Sequence, residues 1–411
     1  MTPRPSISVV VPYFRRGDQL DRLLAGLDEQ TFDARRTEVV VADDGSPTAP
    51  VLGRHDFRTT LVRQVDDGFR AAAARNLGAA EAKGDILVFL DQDCVPAPDY
   101  LARVAAAAVA PWSLVVGHRR HAVLDGWSPE RVRAWLDGRG EAPEELVEPG
   151  WLLEGYARTG DLSEPDDRSY QLVISAVLSM NRQLFQRLDG FDASFRGYGG
   201  EDWELGHRAL VAGADLRFLP DAVVWHDGPD LAGRPEDLAL TKNAETLALA
   251  SRLPDADVRG LGLVWRRPDV VVRLDIDGTS AAGVVASVES LLEGTDARLW
   301  LGDAPAAVDV LSQVEDPRVH LGTPPEDVLR SARFIVDCRA VVLQGATLRD
   351  LCRRAPVAGP AFRLARMRDE NRAARGKPTQ PDSDLPPGVS AEIPGPDLVL
   401  ERFWQARVRS R

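Results

Sequence analysis

Cysteine is scarce in this chain: Cys94, Cys338 and Cys352 are the three among 411 residues. The number is odd, and no two of them have the close spacing of a zinc or redox site. We therefore expect small buried thiols of the kind that a reducing cytoplasm maintains.

Long apolar runs are absent as well, because no stretch stays hydrophobic over the roughly 20 residues that a membrane-spanning helix needs. The short apolar run in "MTPRPSISVVVPYF" is followed by an arginine pair, which is unlike a signal peptide. Both absences predict a cytoplasmic protein with no membrane span.

The chain also lacks an excess of positive charge. The chain has 50 Lys and Arg against 63 Asp and Glu, a formal net charge of −13. A face that binds nucleic acid needs basic residues to match the phosphate backbone, so we expect no nucleic-acid partner. The length is sufficient for more than one domain.

The first hundred residues alternate between apolar runs and amphipathic segments. Strands are predicted at 7–14, 37–46, 59–65 and 85–93, and a helix at 69–84. This alternation predicts an α/β fold with a doubly wound, mostly parallel sheet. Functional side chains in such sheets gather at the carboxyl ends of the strands.

Acidic residues follow the fourth predicted strand at that edge. Asp91 and Asp93 are two hard oxygen ligands that suit Mg²⁺ or Mn²⁺ carrying a diphosphate. His226 follows a later strand, "FLPDAVVW", and could add an imidazole, which Mn²⁺ tolerates better than Mg²⁺. Solvated loop acids and a structural histidine are the alternatives.

Basic and acidic residues of two further segments belong to the same edge. Arg70 and Arg75 can pair with a diphosphate, and Asp43 or Asp44 can accept a hydrogen bond from a base N–H. The alternatives are that Asp43 and Asp44 only form a turn and that Arg75 is a charge on a helix surface.

Five segments, taken together, resemble a family 2 glycosyltransferase of the GT-A fold: "VVVPYFRR", "VVVADDGSP", "AARNLGAAEAKGDILVFLDQD", "LSMNRQLFQRLDGFD" and "GYGGEDWELGHR". The last segment also resembles the carboxyl-terminal half of the β-1,4-galactosyltransferase and polypeptide N-acetylgalactosaminyltransferase families. The resemblance covers about residues 5–230 and does not reach 255–411.

The resemblance implies an inverting enzyme that moves a sugar from a nucleoside-diphosphate sugar, with uridine diphosphate favoured, to an acceptor hydroxyl. It implies that Asp93 and His226 hold a divalent ion, Mn²⁺ or Mg²⁺, and that Asp91 contacts the ribose or the ion. Asp202 matches the catalytic base, and Glu201 orients the acceptor or the sugar. The implied donor-binding residues are Pro12, Tyr13, Arg15, Asp43, Asp44 and Arg75, with Arg70 nearby. The alternative for Glu201 and Asp202 is that they only complement a helix dipole.

The Q-x-x-R-W signature of processive synthases is absent, so we expect a non-processive enzyme. The acceptor could be a natural product, a peptide or a glycan, recognised by the aromatic-rich insert 111–175; ordinary core packing is the alternative for each tryptophan. Two other functions compete. A nucleotidyltransferase would need a glycine-rich phosphate loop after the first strand, and "VVVPYFRRGDQ" is not such a loop. A sugar-nucleotide-binding or scaffold protein without turnover would not need Asp91, Asp93 and Asp202.

The expected domains are a GT-A glycosyltransferase domain at 1–254, a small α/β domain at 255–345 and an Arg-rich and Pro-rich segment at 346–411. The second domain is either a degenerate repeat of the first, with Asp337 alone where the acid pair stands, or an unrelated α/β domain. We expect residues 255–411 to position the acceptor or to build a homo-oligomer interface.

Overall fold

The computed structural model describes residues 5–197, 199–229, 238–260, 263–302 and 305–410. The chain divides into two compact units. Unit 1 comprises Met1–Leu210 and Ala214–Glu245, and unit 2 comprises Val211–Gly213 and Thr246–Arg411. Within the described ranges, no helix is long and apolar enough to cross a membrane.

In the described part of unit 1, nine strands form one sheet: β1 Ile7–Tyr13, β2 Thr37–Asp43, β3 Arg58–Arg63, β4 Ile86–Leu90, β5 Cys94–Pro96, β6 Ser113–Ala122, β7 Glu145–Leu146, β8 Val177–Asn181 and β9 Asp215–Asp227. Its order is β3-β2-β1-β4-β8-β6-β9-β5, with β7 beside β6. The pairs among β3, β2, β1 and β4 are parallel, and β8 is antiparallel to β4.

The helices that lie wholly or mostly in unit 1 are α1 Gly17–Asp28, α2 Ala71–Glu81, α3 Tyr100–Ala108, α4 Pro129–Leu136, α5 Gly150–Arg158, α6 Arg182–Arg187, α7 Glu201–Val211 and α8 Leu238–Ala250. Val211 of α7 and residues 246–250 of α8 belong to unit 2. The apolar centres of β1, β2 and β4 are buried, as expected for strands covered on both faces. The predicted mostly parallel α/β fold is confirmed.

In the described part of unit 2, the strands are β10 Val270–Asp275, β11 Arg298–Leu301, β12 Val319–Leu321, β13 Phe334–Arg339, β14 Val342–Gln344, β15 Val357–Gly359, β16 Phe362–Arg366, β17 Ser383–Asp384 and β18 Ser390–Glu392. The helices are α9 Ala256–Arg259, α10 Ala281–Leu292, α11 Pro305–Leu311, α12 Glu326–Ser331, α13 Leu348–Cys352, α14 Met367–Ala373 and α15 Leu400–Ser410. The main sheet has the order β12-β11-β10-β13-β16-β15-β17. Strands from both 255–345 and 346–411 therefore share this sheet.

The strand order β12-β11-β10-β13-β16 of unit 2 repeats the order β3-β2-β1-β4-β8 of unit 1. In both sheets the first four strands are parallel and the fifth is antiparallel. The expected position of Asp337 is wrong, because Asp337 lies inside β13 and does not follow that strand. All three cysteines are buried free thiols, as predicted.

Candidate functional site

Several of the predicted site residues lie at the carboxyl ends of β1, β2 and β4 in unit 1. β1 and β2 are in register so that Tyr13 is opposite Asp43 at their last pair. β4 ends at Leu90, and Asp91 follows immediately. The parallel arrangement brings these ends to one edge, which is where the sequence pattern placed them.

Asp93 and His226 are brought together by the pairing of β5 with β9. Cys94 is opposite His226 in this antiparallel pair, and the Asp227 N–H donates to the Asp93 carbonyl at 2.9 Å. His226 Nε2 is 3.4 Å from Asp93 Oδ2. Burial opposes the charge on each group, but their mutual attraction outweighs it, so the pKa of His226 is raised and that of Asp93 is lowered.

The contact that His226 makes through Nδ1 determines what Nε2 can bind. Nδ1 is 3.4 Å from the Gly228 carbonyl oxygen, which can only accept a hydrogen bond. With the Nδ1 proton directed at this carbonyl, loss of the Nε2 proton that faces Asp93 would leave the Nε2 lone pair for a cation, as in a metal-ligating histidine. Among the described residues no group of three or more His, Cys, Asp or Glu could hold a metal ion. The Asp93–His226 pair fits a divalent ion that takes its remaining ligands from substrate and water.

Arg75 joins the end of β4 to the start of α7. Its Nη2 donates to Asp91 Oδ1 at 2.7 Å and its Nη1 donates to Glu201 Oε1 at 2.8 Å. The Arg75 side chain is buried, and burial lowers its pKa less than the two carboxylates raise it. Arg75 thus links residues that are more than a hundred positions apart in the sequence, and the alternative of a surface charge is wrong.

Among the residues that the structure describes, no cation forms an ion pair with Asp202. Its Oδ1 accepts from the Trp203 N–H at 2.9 Å, and its Oδ2 lies 3.5 Å from the Ser175 N–H. Burial and repulsion by Glu201 raise the pKa of Asp202 to about 7, although Arg75 opposes the shift. A carboxylate with such a pKa can exchange a proton near neutral pH.

The acids at the end of β2, Asp43 and Asp44, accept hydrogen bonds from neighbouring groups. Asp43 accepts from the Ser46 N–H at 2.8 Å and from Arg63 Nε at 2.7 Å. Asp44 accepts from Gln64 Nε2 at 2.5 Å and from the Arg70 N–H at 2.7 Å. Both side chains are buried and fix the turn that follows β2.

The remaining predicted donor residues surround the end of β1. Pro12 lies within β1, and Tyr13 is buried with its pKa raised by burial and by Asp43. Arg15 has φ +60°, a left-handed conformation that a side chain with Cβ seldom adopts. Its N–H donates to Ser46 Oγ at 3.0 Å, while its guanidinium is exposed. The guanidinium of Arg70 is mostly covered beside Asp44.

Three residues escaped the sequence analysis. Gln92 accepts from the Phe14 N–H at 2.8 Å and so ties the end of β4 to the end of β1. Arg22 is buried in α1 and pairs with Asp227 at 2.8 Å, next to His226. Arg119 in β6 is close enough to lower the pKa of both Asp93 and His226. Arg22 could have been found from the sequence, because it lies on the apolar side of a helical pattern. The positions of Gln92 and Arg119 near the site follow from strand pairing, which the sequence pattern does not give.

The tryptophans of 111–175 divide into two groups. Trp127 belongs to a buried cluster against which Trp135 packs, so core packing accounts for both. Trp151 in α5 is 48% exposed, and its ring centroid is 6.5 Å from that of Trp203, the residue after Asp202. An exposed aromatic side chain therefore lies near the start of α7.

Comparisons with known proteins agree with this geometry. A family model described as glycosyl transferase family 2 matches residues 8–166, and one described as the N-terminal domain of galactosyltransferase matches 162–224. Validoxylamine A glucosyltransferase of Streptomyces hygroscopicus subsp. jinggangensis is 35% identical over 229 residues, 52% of this chain and 53% of that protein. Pre-mycofactocin glycosyltransferase of Mycobacterium tuberculosis is 31% identical over 242 residues, covering 55% and 45%.

Chondroitin synthase of Pasteurella multocida is 25% identical over 359 residues, 79% of this chain and 36% of that protein. The solved structure of GalNAc-T7 with UDP, GalNAc and Mn²⁺ covers 56% of this chain and 45% of its own at 19% identity, with a TM-score of 0.39. The chain spans about half or less of the length of these relatives. The resemblance that the motifs indicated is confirmed: residues 8–166 match the family 2 glycosyltransferases, and residues 162–224 match the galactosyltransferase domain.

Proposed function

We propose that this chain transfers one sugar at a time from a nucleoside-diphosphate sugar, with uridine diphosphate favoured, to an acceptor hydroxyl, and that the anomeric configuration is inverted. The observation that carries the proposal is the buried Arg75, which ties Asp91 at the donor edge to Glu201 beside Asp202. The acids expected for donor and acceptor chemistry thus belong to one site.

The contacts of the two acids at the start of α7 support a different role for each. Glu201 is held by Arg75 at 2.8 Å and is buried, so its charge is already compensated. Within the described part of the chain the partners of Asp202 are N–H groups, and its pKa is about 7, so we assign to it the removal of a proton from an acceptor hydroxyl. Glu201 orients the site.

Two glycines precede the base. Gly199 and Gly200 have φ values of +85° and +94°, which favour glycine over any residue with a Cβ. Without side chains at these positions, an acceptor can approach Asp202 closely. The acceptor oxygen would attack the anomeric carbon on the face opposite the diphosphate, forming the new bond as the bond to the diphosphate breaks.

Asp93 and His226 would hold Mn²⁺ or Mg²⁺, which would offset charge on the departing diphosphate. Asp91 keeps Oδ2 for the ribose or the ion, since Oδ1 accepts from Arg75. Because both terminal nitrogens of Arg75 already face carboxylates, we assign Arg75 to positioning these acids. The contacts of Pro12, Tyr13, Arg15, Asp43, Asp44 and Arg70 with the nucleotide stay predictions.

We assign acceptor recognition to Trp151 and Trp203. The two rings lie 6.5 Å apart, centroid to centroid, and a sugar ring or an apolar aglycone can stack on an exposed indole. The buried Trp127 cannot take this role without unfolding its cluster.

The test is hydrolysis of UDP-sugars by the full chain with Mn²⁺, followed by transfer to candidate acceptors and NMR of the anomeric proton. We expect slow release of uridine diphosphate without acceptor, faster release with the right acceptor, and an inverted product. A sugar-nucleotide-binding protein would bind the donor and release nothing. A product with retained configuration would contradict the single displacement.

A further inference from the structure

Unit 2 has its own cleft at the carboxyl ends of its parallel strands. The cleft has a volume of about 640 Å³ and is lined by the ends of β10, β11, β12 and β13, including Asp275, Gly302, Gly322 and Arg339. β11 and β12 lie on one side of β10 and β13 lies on the other, so the strand order reverses at this point. Open α/β sheets bind ligands at such a reversal.

The polar groups in this cleft are held in place by ion pairs. Arg273 and Asp337 face each other across β10 and β13, with nitrogen–oxygen distances of 2.5 and 2.7 Å. Arg363, on the next strand, is held by Glu370 at 2.7 Å and by Asp382 at 2.8 Å. Planar donors and acceptors with fixed orientations line the floor of the cleft.

Two exposed charged side chains lie at the rim, of which Asp275 keeps Oδ2 available because its Oδ1 accepts from the Asp277 N–H at 3.0 Å. Asp275 and Arg339 are opposite each other in the β10–β13 register, and both are exposed. Of the residues that the structure describes, neither takes part in a side-chain ion pair within 4.0 Å. Arg339 can donate hydrogen bonds and Asp275 can accept them, and the two lie on adjacent strands.

The charge balance of the cleft selects the class of ligand. Three guanidinium groups and two carboxylates line it, and Glu370 and Asp382 neutralise one of the guanidinium groups. A nucleoside diphosphate would gain little from such a balanced surface. Neighbouring hydroxyl groups, which donate and accept at once, match paired guanidinium and carboxylate groups. Trp300 and Phe362, both buried, lie beneath the cleft lining.

We propose that this cleft binds a saccharide, with Arg339 donating to its hydroxyl oxygens and Asp275 accepting from its hydroxyl groups. The proposal goes beyond the transferase activity, because binding in unit 2 requires neither donor nor turnover.

The experiment is saturation-transfer NMR on the full chain in excess chelator, with glucose, N-acetylglucosamine and glucuronate as separate probes. We expect saturable binding of at least one probe. Arg339→Ala and Asp275→Ala should each weaken it about tenfold or more, since each removes hydrogen bonds to a charged group. Arg353→Ala, another exposed arginine of unit 2, is the matched control and should leave binding unchanged.

Three results would overturn the proposal. The first is that none of the probes binds saturably. The second is that binding survives Arg339→Ala but disappears in Trp151→Ala, which would put the sugar in unit 1. The third is that uridine diphosphate, without metal, displaces the probe from wild type and not from Arg339→Ala, which would make the cleft an anion site. Failure of the transferase assay would leave all three measurements interpretable.

Discussion

The sheets of units 1 and 2 share a strand order but differ in what covers one face. In unit 1, α2 has 11 residues and packs on β1, β2 and β3. Gly78 of α2 approaches so closely that an added Cβ would be 2.5 Å from a methyl carbon of Val10. In unit 2, the helix at the same place in the order, α12, has 6 residues.

The shorter helix changes the chemistry of that face. Counting from the first paired residues, Arg273 takes the place of Val10 and Asp337 that of Phe89. Val10 and Phe89 are buried, whereas the side chains of Arg273 and Asp337 are 48% and 40% exposed. A covered face requires apolar residues, and an uncovered one can carry ion pairs and an open cleft. One topology thus supports two kinds of site.

The sharpest test of the comparison uses the Glu-Asp pair that begins a helix in each unit. Asp202→Asn should lower kcat by about 10²–10⁴, because the general base is lost. Asp327→Asn changes the same residue type at the start of α12, where Asp327 is exposed, and should leave kcat unchanged. Equal effects in steady-state kinetics would mean that both acids only complement helix dipoles.

The second prediction concerns the metal. Asp93→Asn should lower turnover by about 10²–10³, the scale for removing one electrostatic stabiliser of a transition state. Excess chelator should abolish turnover of wild type, while saccharide binding in unit 2 persists in the same sample. Full turnover in chelator would show that Asp93 and His226 hold no required ion.

The third prediction compares two ion pairs. Arg75→Met leaves Asp91 and Glu201 without their buried cation and should lower the free energy of unfolding by about 3–5 kcal/mol. Arg273→Met removes a half-exposed pair and should cost about 0–1 kcal/mol. Denaturant titrations that follow each unit separately provide the measurement. Similar costs would mean that burial does not distinguish the two pairs.

The fourth prediction is a pH profile. Asp202 must be deprotonated to accept a proton, so kcat/KM should rise about tenfold per pH unit below its pKa of about 7 and level off above it. The raised pKa has the opposite effect on folding: the stability that it contributes is present at low pH and is lost as pH rises through about 7. Asp202→Asn should therefore raise Tm more at pH 8 than at pH 5. A flat kcat/KM profile from pH 5 to 8 would exclude Asp202 as the base.

The smallest expected effect is at the aromatic pair of unit 1. Trp151→Ala should raise the acceptor KM about 2- to 10-fold, the value of one aromatic stacking contact. Donor hydrolysis without acceptor should not change. Val147→Ala, at another exposed apolar residue of the insert, is the control for general effects on this segment. An unchanged KM in Trp151→Ala would remove the acceptor role.

We expect residues 255–411 to position the acceptor or to build a homo-oligomer interface, and this expectation stays a prediction. The structure adds that strands from both 255–345 and 346–411 belong to one main sheet, and that the cleft of this sheet has a lining with balanced charges. The arginines of this part are partly used within unit 2, as Arg363 shows with its two carboxylates.

Much of the first site could be predicted from the sequence because its residues follow strands. The apolar runs that end at Tyr13, Asp43 and Leu90 determine the parallel strands, and parallel strands bring their carboxyl ends to one edge. Asp91 and Asp93 could be singled out for this reason, whereas Asp202, in the first turn of α7, is singled out through the family resemblance. The spacing of apolar and acidic residues along the chain is enough to predict this edge of the sheet.

Only the tertiary structure decided which partner each charge has. Arg75 meets Glu201 across 126 positions, and Arg22 meets Asp227 across 205. The sequence alone determined the alternation of strands and helices and the family motifs, since these are local patterns. The pKa of Asp202, the buried place of Trp127, the exposure of Trp151 and the open cleft of unit 2 arise from burial and distance, which only the packed chain defines.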